Sequence, residues 1–118
     1  MAQPVAFFEV ISPDAERAQK FYGELFDWQV SAGPAMGGYA LVDTGAGDDA
    51  VGGGIGASSE PGDTGVKIYI KVDDLDAYLA RAEALGGKKL VPPTPLPGDY
   101  GTFAVFTDPD GNQVGLWA

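Results

Sequence analysis

Histidine and cysteine are both absent from this 118-residue chain, and that removes much chemistry at once. Without thiols there is no disulfide framework and no thiolate nucleophile. Without imidazole there is no Ser-His-Asp triad and no histidine metal site. Any reaction would have to run on Asp, Glu, Lys, Tyr, Ser or the backbone. Basic residues are scarce as well: 7 Lys and Arg stand against 17 Asp and Glu, a formal net charge of −10. Such a field repels phosphate backbones, so nucleic acid is not an expected partner. It would favour cationic ligands, but charge spread along the chain reads first as a solubilising surface. Long apolar runs are also missing. Nothing approaches the roughly 18 residues of a membrane span. The opening Met1-Ala2-Gln3-Pro4-Val5 lacks the basic and apolar regions of a signal peptide. The expectation is a cytoplasmic protein with no membrane partner.

What is present is 45% hydrophobic residues, enough for one core in a single domain of this length. Val5 to Ile11 reads as a strand. Asp14 follows as a helix N-cap, and Ala15, Ala18, Tyr22 and Leu25 recur at helical spacing to about Phe26. Strands are expected at Trp28–Val30, Gly38–Val42 and Val51–Ile55, then a polar linker over Ala57–Gly65. The order then restarts. Val66, Ile68 and Ile70 alternate with Lys67, Tyr69 and Lys71. Asp73 or Asp74 caps a second helix carrying Leu75, Leu79, Ala82 and Leu85, and Gly86-Gly87 closes it. Lys89–Val91, Thr102–Phe106 and Gln113–Trp117 follow as strands, with Asp108-Pro109-Asp110-Gly111 as the last turn. The prolines from Pro92 to Pro97 read as a rigid connector or a rim ahead of Tyr100.

The two halves are related by an offset of 60 residues, which carries Asp14 to Asp74, Leu25 to Leu85, and Ala6, Phe8 and Val10 to Val66, Ile68 and Ile70. Two βαβββ modules result, one over about residues 4–56 and one over about 66–118, joined by the linker 57–65. This is an α+β chain. One helix covers only one face of a four-stranded unit, so two units must pair to bury the other.

Three sequence elements then stand out: Arg17-Ala18-x-x-Phe21-Tyr22-x-x-Leu25-Phe26-x-Trp28, Val72-Asp73-Asp74 with Gly86-Gly87 after the helix, and Asp108-Pro109-Asp110-Gly111-Asn112. In this order, and with the repeat, the chain resembles the vicinal oxygen chelate superfamily of glyoxalases, bleomycin-resistance proteins and extradiol dioxygenases. The resemblance implies mixed sheets around a concave cleft in a pseudo-twofold arrangement. It also implies a homodimer for a member of this length. The family's metal enzymes bind a divalent ion through four side chains, from the first and last strand of each module. By position these fall on Phe7, near Gly52, on Lys67 and on Gly115, none of which is a ligand for such an ion. No metal and no cofactor is therefore expected.

Strand alternation shows what stands there instead. If Val66, Ile68 and Ile70 face the helix, then Lys67, Tyr69 and Lys71 face the cleft; so do Phe7 and Glu9, with Gly52, Gly54, Gly115 and Trp117 from the last strands. The candidate ligand-binding residues are Phe7, Glu9, Lys67, Tyr69, Tyr100 and Trp117, and the glycines are expected to leave volume among them. Plainer roles compete. Lys67 is as good a partner for Glu9 as a ligand group is, Tyr69 and Trp117 serve equally as core residues, and Phe7 suits packing better than stacking. Other motifs fail. Asp108-x-Asp110-x-Asn112 has no closing Glu for a calcium loop, and the run Gly52–Gly56 has no helix after it to hold a phosphate.

The features favour a binding protein over an enzyme: a metal-free member that holds a small organic molecule, an antibiotic or aromatic metabolite. A metal-independent isomerase or lyase using Glu9 as base is the alternative, and a metal-dependent glyoxalase or dioxygenase ranks behind both.

Overall fold

The computed structural model describes residues 2–32, 38–45, 50–58, 64–98 and 100–118. Among them lie β1 (Val5–Ser12), α1 (Ala15–Phe26), β2 (Gln29–Ala32), β3 (Ala40–Asp43) and β4 (Gly52–Ala57). After these come β5 (Gly65–Lys71), α2 (Leu75–Ala84), β6 (Lys88–Pro95), β7 (Thr102–Thr107) and β8 (Gln113–Trp117). The chain forms two compact units. One spans residues 7–66; the other combines 67–118 with the N-terminal 1–6. Within the second, the amide of Lys71 donates to the carbonyl of Pro4 over 3.0 Å. Each unit has the βαβββ order.

The helices start alike. The Asp14 carboxylate accepts from the amide of Arg17, and that of Asp74 from the amide of Ala77, both at 3.1 Å. Each satisfies an amide that the first helical turn leaves open. The ends differ. Asp27 takes a left-handed φ of 57° after α1. After α2, Gly86 does so at 104°, and Gly87 donates to Ala82 while Gly86 donates to Glu83. That is a Schellman closure. A Cβ on Gly87 would lie 2.6 Å from the carbonyl oxygen of Thr107, so glycine is required there too.

In the first unit the strands run β2-β3-β4-β1, and in the second β5-β8-β7-β6. β1 pairs with β4, and β5 with β8, in parallel; the remaining pairs are antiparallel. The core of the first unit is Val10, Val42 and Ile55, with Phe8, Ala18, Tyr22, Trp28 and Val30 packed on it. Gln19 locks α1 to this sheet, its side-chain amide donating to the carbonyls of Gly38 at 2.9 Å and Ile55 at 3.0 Å. The core of the second is Val72, Leu75, Leu79, Ala104 and Leu116, with Ile70, Tyr78 and Phe106 beside it.

Three expectations change here. Val66 and Ile68 do not pack under a helix; they are exposed, and of the trio only Ile70 joins the core. Pro92, Pro93 and Pro95 do not form a connector but lie inside β6. Proline is tolerated there because β6 is the outer strand of its unit, with register shifts on either side of Val91. Most of the expected linker, residues 59–63, lies outside the described residues, while Ala57 ends β4 and Gly65 begins β5. No described helix is long and apolar enough to cross a membrane.

Candidate ligand-binding site

In the first unit, strand alternation sends Phe8 and Val10 to the helix side and leaves Glu9 on the opposite, helix-free face. The parallel register sets Phe7 beside Gly52 and Glu9 beside Gly54. Tyr39 stands one residue before β3, which runs antiparallel to β4 with Ala40 opposite Ile55. Its ring therefore lies over β4. A Cβ added to Gly54 or Gly56 would collide with that ring. The phenol reaches on to Glu9, donating to Oε2 at 2.8 Å in a partly buried position.

The second unit repeats the device with a different strand. Tyr69 lies beside Gly115 in the parallel pair of β5 and β8, and a Cβ on Gly115 would fall against its ring. Tyr69 is buried. Two residues on, Lys71 lies beside Trp117, and its ammonium nitrogen stands 4.9 Å from the centroid of the indole. That is cation–π distance, worth about 0.5–1 kcal/mol at an exposed site. The indole N–H donates to the carbonyl of Tyr100 at 2.7 Å, which fixes the ring's tilt and leaves the Tyr100 side chain half in solvent.

Two of the three glycines thus do not leave the volume expected of them. Gly54 and Gly115 are covered by tyrosines, because a backbone without Cβ lets an aromatic ring settle directly on the strand. Of the six candidates, Phe7 and Glu9 are neighbours on β1, and Trp117 and Tyr100 are joined by a hydrogen bond. Tyr69 serves as packing over Gly115, and Lys67 is half-buried on β5. Tyr39 and Lys71 were not among the candidates. Lys71 was legible, sharing a strand face with Tyr69. The one sequence signal for Tyr39 is the alternation of Gly52, Gly54 and Gly56, since such a strand needs a ring from its neighbour.

The two parallel registers make Gly54, rather than Gly52, the counterpart of Gly115. The positions where the resemblance sets metal ligands then hold a phenyl ring, an ammonium group and two glycines roofed by tyrosines. A phenyl ring and an ammonium give no lone pair, and glycine gives no side chain. Among the described residues no cluster of three or more His, Cys, Asp or Glu is arranged to hold a metal. These residues do not fit a divalent ion.

Fold and sequence together define the class. The chain belongs to the Glyoxalase/Bleomycin resistance protein/Dioxygenase superfamily, whose family model matches residues 5–116. It is 32% identical to CFP32 of Mycobacterium tuberculosis over 108 residues, covering 88% of this chain and 41% of that protein. With the anthracycline biosynthesis protein DnrV of Streptomyces peucetius it shares 29% identity over 136 residues, 95% of this chain and 46% of DnrV. The chain thus spans less than half the length of either. A crystal structure of a superfamily member from Vibrio splendidus superposes with a TM-score of 0.61 at 17% identity, over 98% of this chain and 97% of the other. At that identity the match speaks for the fold.

Proposed function

We propose that the protein binds a small organic molecule, an aromatic metabolite or antibiotic, without a metal and on the helix-free faces of its units. The observation that carries this reading is the roofing of Gly54 by Tyr39 and of Gly115 by Tyr69. Rings with polar tips stand at positions where a metal enzyme of this superfamily needs ligands. In the second unit Trp117 and Lys71 stand close to Tyr69, and such a grouping matches the composition of sites that hold flat organic molecules. DnrV is named for anthracycline biosynthesis, which makes polycyclic aromatics the first compounds to try. The test is equilibrium titration of an aromatic panel, an anthracycline included, with and without a chelator. Saturable binding that the chelator leaves unchanged and that Trp117→Ala weakens is expected. A panel without a single binder would sink the proposal.

A second reading is supported by the Tyr39–Glu9 hydrogen bond. A carboxylate held in place by a phenol can take a proton from a carbon acid, becoming the neutral acid, and return it to another atom of the substrate or to water. Metal-independent isomerisation or elimination at Glu9 is the reaction class this would serve. Assembly as a homodimer belongs to the same proposal. It is supported by Phe21 and Leu25, one turn apart on α1 and 57% and 58% exposed.

A further inference from the structure

The second unit contains a hollow that the first does not need to have. It lies between the C-terminal half of α2 and the sheet, holds about 390 Å³, and is walled by Ile70, Val72, Tyr78, Ala82, Phe106 and Leu116. Its origin can be read from the 60-residue offset between the units. In the first unit, the corresponding space beneath α1 is filled by aromatic rings. Tyr22 stacks on Trp28 with centroids 6.0 Å apart, and Phe26 packs against Trp28 at 5.0 Å. Sixty residues on, Tyr22 becomes Ala82, Phe26 becomes Gly86 and Trp28 becomes Lys88. Phe26 is itself half exposed, so the buried layer loses two rings, those of Tyr22 and Trp28. Tyr78, where α1 carries Ala18, and Phe106, where β3 carries Val42, return part of that volume and wall the hollow without closing it. Close packing is the rule under a helix. Here α2 buries Leu75 and Leu79 in its first half and leaves its last turn standing over the hollow, with Leu85 exposed.

The rim narrows the chemistry. The surface lining the hollow is almost wholly carbon, so Arg81 and Asp108 contribute their apolar atoms to it, and their charged groups are not equivalent. Oxygens of the Asp108 carboxylate already accept from the amides of Asp110 and Asn112 and from the side-chain amide of Asn112, all at 2.9 Å. The Arg81 guanidinium, on the last turn of α2, carries five donors in a plane suited to a carboxylate. A volume of this size lies within the range of small-ligand sites. We infer that this hollow is a second binding site, separate from the helix-free faces, for a compact aromatic molecule carrying one carboxylate. The aromatic body takes the place that rings occupy under α1, and the carboxylate meets Arg81. A dianion is disfavoured by Asp108.

The probes are 1-naphthoate and its uncharged counterpart 1-naphthylmethanol, followed by amide chemical shifts and calorimetry on the whole chain. Expected is saturable naphthoate binding, with shifts centred on Ala82, Phe106 and Leu116. Ala82→Tyr, which returns the ring found at Tyr22, should weaken both probes at least tenfold. Should that variant fail to fold, Ala82→Leu fills the same space with less bulk. Arg81→Gln should weaken naphthoate about fivefold, the scale of an exposed ion pair, and leave the alcohol unchanged. Trp117→Ala, which weakens binding on the helix-free face, should leave the probe-induced shifts at Ala82 and Phe106 in place. Shifts confined to Tyr69 and Trp117, a filled Ala82 variant that binds as before, or no binding at millimolar probe would each overturn the inference. So would self-association that the Ala82 variants abolish, because the hollow would then be a contact between copies.

Discussion

The phenol of Tyr39 donates to Oε2 of Glu9 at 2.8 Å while the same ring lies across Gly54 and Gly56. Position and chemistry are thereby coupled: the ring can sit where its hydroxyl meets the carboxylate only because β4 has no side chains beneath it. Gly54→Ala must push the ring away. The lost packing and hydrogen bond should cost about 1–3 kcal/mol, read as a lower melting temperature. Gly115→Ala should cost more within that range, since its Cβ would also meet the base of the Tyr69 ring, which cannot swing aside as a tip can. Thermal melts of both variants check this, and unchanged stability in Gly115→Ala would contradict the placement of Tyr69.

Glu9→Gln separates the two functional readings. Glutamine keeps an oxygen to accept from Tyr39, so the fold should hold to within about 1 kcal/mol. A binding protein should then retain most of its affinity for a neutral aromatic ligand. A proton-abstracting enzyme should lose turnover by two orders of magnitude or more, the scale of general-base catalysis, with binding intact. Calorimetry and turnover on the same preparation decide between them.

The fold was legible because the 60-residue offset repeats caps, helical stripes and turns together, and each has a local cause. Asp14 and Asp74 cap their helices by identical hydrogen bonds, and Gly86-Gly87 ends α2 as its sequence predicts. The candidate faces were legible only in part. Alternation puts Glu9, Tyr69 and Trp117 on the helix-free side, but it is blind to what a neighbouring strand lays over a glycine. Gly54 and Gly115 therefore read as space when they are seats for rings. The β6 prolines were misread for a similar reason. Whether a strand lies at an edge, where a missing amide does no harm, is decided by pairing and not by the strand's own residues.

Phe21 and Leu25 present a side-by-side apolar pair on the outer side of α1. If a second copy covers them, light scattering should give twice the chain mass, and Phe21→Glu should halve it without unfolding the protein. The core beneath α1 rests on Ala18, Tyr22 and Trp28, so a charge at Phe21 need not disturb it. A wild-type protein that stays monomeric at high micromolar concentration would remove this part of the proposal.

Asp108 gives the chain an acid-sensitive turn. Its carboxyl is held below the ordinary value chiefly by the side-chain amide of Asn112, then by that residue's backbone amide; desolvation opposes them, and the amides of Asp110 and Gly111 add smaller lowering effects. Between the folded and unfolded pKa values, the folded chain binds fewer protons than the unfolded one. Its contribution is therefore complete above the unfolded value and is lost as pH falls through the folded value. Asn112→Ala removes the largest cause. The variant should melt below the wild type at neutral pH, and the gap should shrink as acid protonates Asp108 in both. Melting curves from pH 7 to about pH 3, spanning the usual carboxylate range, measure it. A gap that stayed constant would show that Asn112 acts through packing and not through the Asp108 charge.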